Sequence, residues 1–359
     1  MCTLSGERRS RWPHRIAVLA AFLVFPLIWV GGLVTTYDAG MAVPDWPNTY
    51  NYNMFAYPVR DWFFGPWDLF VEHGHRILGS IVGLVCIALV IATWWGDSRH
   101  WVRRWSVLIL VMVIAQGVLG GQRVVQDERL LAMVHGCFGP LFFASVVAMI
   151  VFTSSWWQAV SAADLQSRSR GNYGPLRPVF LVLLPCSYLQ LVLGAFLRHI
   201  PVDADPTVYQ TLILWHLAVA LLILILAGIA GVYSGSRRYQ GAGLTGIART
   251  LAVLVGLQWG LGVTTYVLKF GWPAWFHGTG FAERFVIPEK SFWQMNLITA
   301  HVAVGSLILA AATVAVCRVE RWVGLHKSAH GDAPTGATGS PAIELATIGN
   351  PSTRRVELR

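Results

Sequence analysis

Charged side chains are scarce in this sequence: 13% of its 359 residues are Asp, Glu, Lys or Arg, whereas 55% are hydrophobic. A water-soluble domain of this length has no use for so much apolar surface, so a soluble globular fold is excluded. Cysteine is also sparse. Cys2 stands at the terminus, and Cys86, Cys137, Cys186 and Cys317 lie inside apolar runs. That distribution offers no outer pair for a disulfide and no spacing for a thiolate metal site, and it reads as small core-filling side chains. The formal charge is +9, but the basic residues are not gathered into the patch that nucleic-acid binding requires, so a nucleic-acid partner is not expected.

Apolar length is what the chain has in abundance. Eight stretches approach the roughly 20 residues needed to cross a bilayer: about Ile16–Val34, Ile77–Trp95, Val107–Gly121, Leu130–Phe152, Val179–Phe196, Leu212–Val232, Ile247–Val267 and Met295–Val316. Most of the 27 Lys and Arg residues fall on one side of these stretches. They precede the first (Arg8, Arg9, Arg11, Arg15), follow the second, fourth and sixth, and recur after the eighth. The positive-inside rule then predicts a multi-pass protein of the inner (cytoplasmic) membrane with both termini cytoplasmic. The lipid bilayer is its first partner. The first stretch is long and lacks a small-x-small cleavage site, so it is expected to be retained rather than removed as a signal peptide.

The stretches repeat. The third, fifth and seventh contain Gln116-Gly117-Val118-Leu119-Gly120, Gln190-Leu191-Val192-Leu193-Gly194 and Gln258-Trp259-Gly260-Leu261-Gly262. All fit Q-x-x-L-G, and the first carries Gly31-Gly32 as a degenerate copy, with Ile28 where the glutamine would be. Small residues on the odd helices favour close approach of neighbours. The predicted fold is an all-α membrane protein of eight transmembrane helices, arranged as two tandem four-helix bundles related by a pseudo-twofold axis along the membrane normal. The expected parts are a cytoplasmic N-terminus (1–14), an N-terminal bundle (15–160), a cytoplasmic linker (161–178), a C-terminal bundle (179–320) and a disordered cytoplasmic tail (321–359), whose Ala/Gly/Ser/Thr/Pro-rich composition cannot bury enough surface to order itself.

Only the even stretches carry a histidine near their outer ends: His75, His135, His216 and His301. One such residue could merely hydrogen-bond a neighbouring helix, but four at matched depth mark function, because ionisable groups within a span are costly. Two imidazoles facing each other across a bundle can hold one haem iron. The pairs would be His75 with His135 and His216 with His301. Zinc lacks third and fourth ligands at the usual spacing. The other histidines, including His73, His199 and His277, read as solvated. Arg76, Arg123 and Arg198 at outer helix ends are candidates for haem propionates, though snorkelling would look the same. Two long aromatic outer loops, about Asp38–Val71 and Lys269–Gln294, are either interfacial belts or lids over a flat apolar ligand.

The two halves differ in one group. Glu72 sits three residues before His75, on the same helical face, whereas Ile213 holds the equivalent place before His216. A helix dipole alone would favour an acid in both halves. These residues carry a resemblance: the eight spans, the histidines on even helices, the E-x-x-H-R run of Glu72, His75 and Arg76, and the stretch from Gly31-Gly32 to Asp45-Trp46-Pro47 look like the haem A synthase family, across about residues 15–320. The segment from Thr35 to Met41 departs from the family's usual arginine-containing version, and the outer cysteine pair of many bacterial members is absent. The resemblance implies an oxidoreductase of cytochrome-oxidase assembly, with haem b as cofactor on His216 and His301, haem O as substrate on His75 and His135, and Glu72 as the catalytic carboxylate. It also implies oxidation of a ring methyl through an alcohol to a formyl group, with electrons leaving through the C-terminal haem to an acceptor that the sequence does not specify. The enzyme supplying haem O is a possible partner, and a homo-oligomer is compatible with this reading. An electron-transferring di-haem cytochrome b and a transporter with histidines in a proton path are the competing readings.

Overall fold

A computed structural model describes residues 10–159, 176–201, 203–234, 243–280, 284, 288 and 290–331. Eight long helices dominate them: α1 (Trp12–Thr36), α2 (Trp67–Gly96), α3 (His100–Val125), α4 (Arg129–Thr153), α5 (Leu176–His199), α6 (Pro206–Ser234), α7 (Leu244–Phe270) and α8 (Phe292–Gly331). All eight are long and apolar enough to span a membrane, and helices are what a bilayer demands, because each backbone N–H and C=O must be satisfied within the segment. This is a multi-pass membrane protein.

Within the first four helices, α1 packs on α2, α2 on α3, α3 on α4 and α4 on α1; α5 to α8 repeat that ring. Contacts of α4 with α8, α1 with α8 and α4 with α5 join the two rings. The interface explains why 56% of the central α4 residues and 61% of those in α8 are buried, against 17–22% in the other six helices, whose apolar outer faces lipid can cover. Across the interface Trp29 Nε1 donates to Asn296 Oδ1 at 3.3 Å, and Arg198 Nη2 donates to Gly32 O at 2.7 Å and to the Thr36 hydroxyl. Gly32 permits this approach: a Cβ there would stand 2.7 Å from Thr299 Cγ2.

Each bundle is solid at one end. Ala17, Val24, Cys86, Leu89, Ile109, Phe142 and Met149 form one core, and Phe180, Leu183, Ile223, Leu251 and Ile308 belong to the other. Of these, Val24, Phe142, Ile223 and Ile308 lie nearer mid-helix and also line the space around the histidines, while most of the positions lie toward the helix ends remote from the four histidines. Cys86 is a fully buried filler there, and Cys137, Cys186 and Cys317 are partly buried free thiols.

The helices outrun the apolar stretches. α2 begins at Trp67, ten residues before Ile77, so Glu72 and His75 lie inside a continuous helix, and the short helix Val59–Phe63 precedes it. At the other end α8 continues to Gly331 instead of stopping near Arg321. Hydropathy marks only the part of a helix that lipid or core contacts, and polar turns can extend it into water. The 161–175 portion of the expected linker and positions 332–359 of the expected tail lie outside the described residues.

Candidate functional site

The ends of the bundles opposite their cores are hollow. A cavity of about 1120 Å³ is lined by His75, His135, His216 and His301 together with Glu72, Arg123, Arg198 and Lys269. It exceeds the roughly 300–1,000 Å³ of an ordinary small-molecule pocket. One space therefore serves both bundles.

The histidines meet in the pairs that the sequence predicts. Ring centres of His75 and His135 are 6.3 Å apart, and those of His216 and His301 are 6.4 Å apart. A metal–imidazole bond is about 2 Å and a ring nitrogen lies about 1 Å from its ring centre, so two imidazoles bound in line to one metal have centres about 6 Å apart. Both pairs fit a single iron between them. Among the described residues no three His, Cys, Asp or Glu converge on one point, so each pair alone offers two protein ligands, the number a porphyrin-held iron can accept.

A recurring seat holds each imidazole. A Cβ at Gly31 would lie 2.8 Å from His75 Cε1, one at Gly120 2.9 Å from His135 Cε1, one at Gly194 3.4 Å from His216 Cε1 and one at Gly262 3.3 Å from His301 Cε1. The glycine closing Q-x-x-L-G is thus the floor under the ring of the next helix, and its missing Cβ lets the imidazole lie against backbone. This places Gly31, not Gly32, in register with the repeat. Leu27 rather than Ile28 then occupies the glutamine position. Where the glutamine is present it touches the same histidine: Gln116 Nε2 donates to His135 O at 2.9 Å and Gln258 Nε2 to His301 O at 2.9 Å, while Gln190 Nε2 stands 3.1 Å from His216 Nε2. In α3 the link is reciprocal, with Gln116 O 3.1 Å from His135 Nδ1.

Glu72 is 1% exposed and lines the N-terminal part of the cavity. Its Oε1 accepts from Arg76 Nη2 at 2.7 Å, and its Oε2 accepts from the Val43 N–H at 2.9 Å. The three arginines, alike in sequence, separate here. Arg76 Nη1 donates to Asp45 O (2.7 Å) and Asn48 O (3.0 Å), and its Nη2 also reaches Val43 O at 2.6 Å. Its four terminal N–H groups are thereby engaged by the first outer loop and Glu72. Arg198 ties the bundles together. Arg123 has one long bond, 3.4 Å to Gly40 O.

The first outer loop folds inward. Trp46 and Pro47 line the cavity, and Trp46 lies so close on Gly121 that a Cβ there would overlap the indole. Asp45 accepts from the Tyr50 and Asn51 N–H groups at 2.9 and 2.7 Å, and the Tyr50 hydroxyl donates to Ala42 O. Burial, then the carboxylates of Asp68, Glu72 and Asp45, push the Tyr50 phenol above its ordinary range, which keeps it a donor. His73 corrects its expectation of solvent exposure. It is 2% exposed, its Nδ1 is 3.1 Å from the Thr49 hydroxyl, and its ring is flanked by Tyr57 and Trp62. His199 is half-buried at the cavity wall rather than solvated; His277 is exposed. Sequence reasoning also missed Lys269, because a lysine at a helix end normally reads as a snorkelling residue.

A family model described as "Cytochrome oxidase assembly protein" matches residues 66–208. Curated relatives agree: a Heme A synthase of Shouchella clausii is 28% identical over 192 residues, 52% of this chain and 58% of the relative, and a Heme A synthase of Exiguobacterium sibiricum is 25% identical over 241 residues, 62% of this chain and 73% of the relative. The chain is thus similar to haem A synthases over its central helices. A third relative, the Heme A synthase of Cereibacter sphaeroides, is 25% identical over 56% of its own length. The match thus spans little more than half of two of these three relatives. The family match runs from α2 into α6 and holds Glu72, His75, Arg76, Arg123, His135 and Arg198, ending before His216.

Proposed function

We propose that this protein acts as a haem A synthase, oxidising the ring methyl of haem O to a formyl group through an alcohol, as an oxidoreductase of the inner membrane. The separation of the two imidazole pairs, which suits one iron each, carries the proposal. His75 and His135 hold the haem O substrate, and His216 and His301 hold haem b. Haem b held there would supply one-electron redox chemistry. The orientation deduced from charge puts both termini in the cytoplasm and both sites toward the outer face.

With water as the oxygen source, methyl to alcohol and alcohol to formyl each release two electrons and two protons. Glu72 is the acid that the chain puts three residues before the N-terminal ligand, and Ile213 puts none at the equivalent place of the C-terminal site. Its carboxylate can take a proton or stabilise positive charge at the carbon being oxidised. Arg123 and Arg198, on the cavity wall, pair with propionates; Arg76, with its terminal N–H groups engaged by the loop, does not. Trp46 and Pro47 cover the substrate ring and exclude bulk water.

The engagement of both Glu72 oxygens also favours a second reading, a di-haem cytochrome in which this acid is purely structural. Chromatography of haems extracted from cells with and without the chain, and with Glu72→Ala, separates the two. Haem A synthesis requires haem A only when the chain is present, with haem O or the alcohol accumulating in the variant. An unchanged haem profile in all three cells rules it out.

A further inference from the structure

A glutamine amide of the preceding helix reaches three of the four histidines, bonding the backbone of His135 and His301 and standing against the ring of His216, and none reaches His75. At the matching place before His75 the chain has Leu27, whose side chain has no donor, so that only its backbone meets the His75 ring. What surrounds His75 instead is a set of anchors to the first outer loop. Glu72 accepts from the Val43 N–H, His73 meets the Thr49 hydroxyl, and Arg76 binds the carbonyls of Val43, Asp45 and Asn48. These anchors belong to the same two turns of α2 as His75. The same loop delivers Trp46 and Pro47 into the cavity.

We propose that the outer loop, residues 43–49, is the positioning element of His75, acting through Arg76, in place of the interhelix glutamine that serves the other three histidines. The imidazole on the substrate side then reports whether the loop is seated, while the C-terminal pair, held by helix–helix amides, does not. A site that must admit a substrate and release a product gains from one ligand governed by a movable cover. A site that retains its cofactor gains from two ligands fixed by the bundle. Arg76 is here a positioning residue. The inference rests on the reading of His75 and His135 as ligands of the substrate haem.

The test uses full-length protein reconstituted with haem O, carbon monoxide as the probe of an open iron position, and amide hydrogen exchange in the loop as a readout that needs no haem. Arg76→Lys keeps the charge but loses the planar fork that spans several carbonyls. Exchange at Val43 is expected to rise about tenfold, and the fraction of N-terminal haem that binds carbon monoxide several-fold, with the C-terminal haem as an internal control of folding. Leu27→Gln added to that variant is expected to lower carbon monoxide binding again by restoring an amide at His75. The proposal is overturned by unchanged exchange, by faster exchange with wild-type carbon monoxide binding, by equal loosening of both haems, or by a Leu27→Gln addition without effect. A wild-type N-terminal bundle that takes up no haem O defeats the functional reading itself, and this inference with it.

Discussion

At the scale of single residues, the four histidine–glycine contacts are the sharpest feature, and they are not equally tight. Gly31→Ala would bring a methyl within 2.8 Å of His75 Cε1, whereas Gly194→Ala would make an ordinary contact at 3.4 Å with His216. Gly31→Ala is therefore expected to shift the optical spectrum of the N-terminal haem and reduce its occupancy at least several-fold, while Gly194→Ala leaves the C-terminal spectrum unchanged. Equal effects would show that the glycines do not seat the rings. The Glu72–His75 relation was legible in the sequence because i and i+3 share a helical face whatever surrounds them. His73 was not, since its burial depends on a loop that folds back over it, and no local period encodes that. Arg76 was half legible: its place at an outer helix end was visible, but the carbonyls it holds belong to residues 28 to 33 positions away.

At the scale of elements, the repeat explains both the resemblance and the difference of the halves. Q-x-x-L-G sets a donor and a gap one turn apart on the odd helix, and the even helix fills both with one histidine. Gln258→Leu removes the bond to His301 O and is expected to destabilise the C-terminal bundle by about 1 kcal/mol, the usual scale for a hydrogen bond between membrane helices. Thermal unfolding in detergent, followed by loss of the C-terminal haem absorbance, measures it. An unchanged midpoint would show that the amide bond is idle. Helix number and order were legible because eight apolar runs admit little else. Helix ends were not, because α2 and α8 carry polar turns beyond the apolar stretch, and the slip between Gly31 and Gly32 could be settled only by the ring that lies against one of them.

At the scale of the whole molecule, the two rings share one cavity and are locked together by α4 and α8, with Arg198 and Gly32 at the seam. Gly32→Leu is expected to force the bundles apart at Thr299, costing about 1–3 kcal/mol as overpacking of a close contact does, and to slow electron transfer between the haems in stopped-flow reduction without changing either imidazole pair. Normal transfer in that variant would place the electron path elsewhere. The proposed division into a reactive and a conducting half requires each bundle to clasp its own iron through two imidazoles. The most direct measurement is the haem content and optical spectrum of purified full-length protein carrying His216→Ala or His301→Ala. Each variant is expected to lose the low-spin signal of one haem, by release or by conversion to a high-spin form, while the N-terminal site still binds haem O. A wild-type low-spin spectrum in either variant would contradict the account.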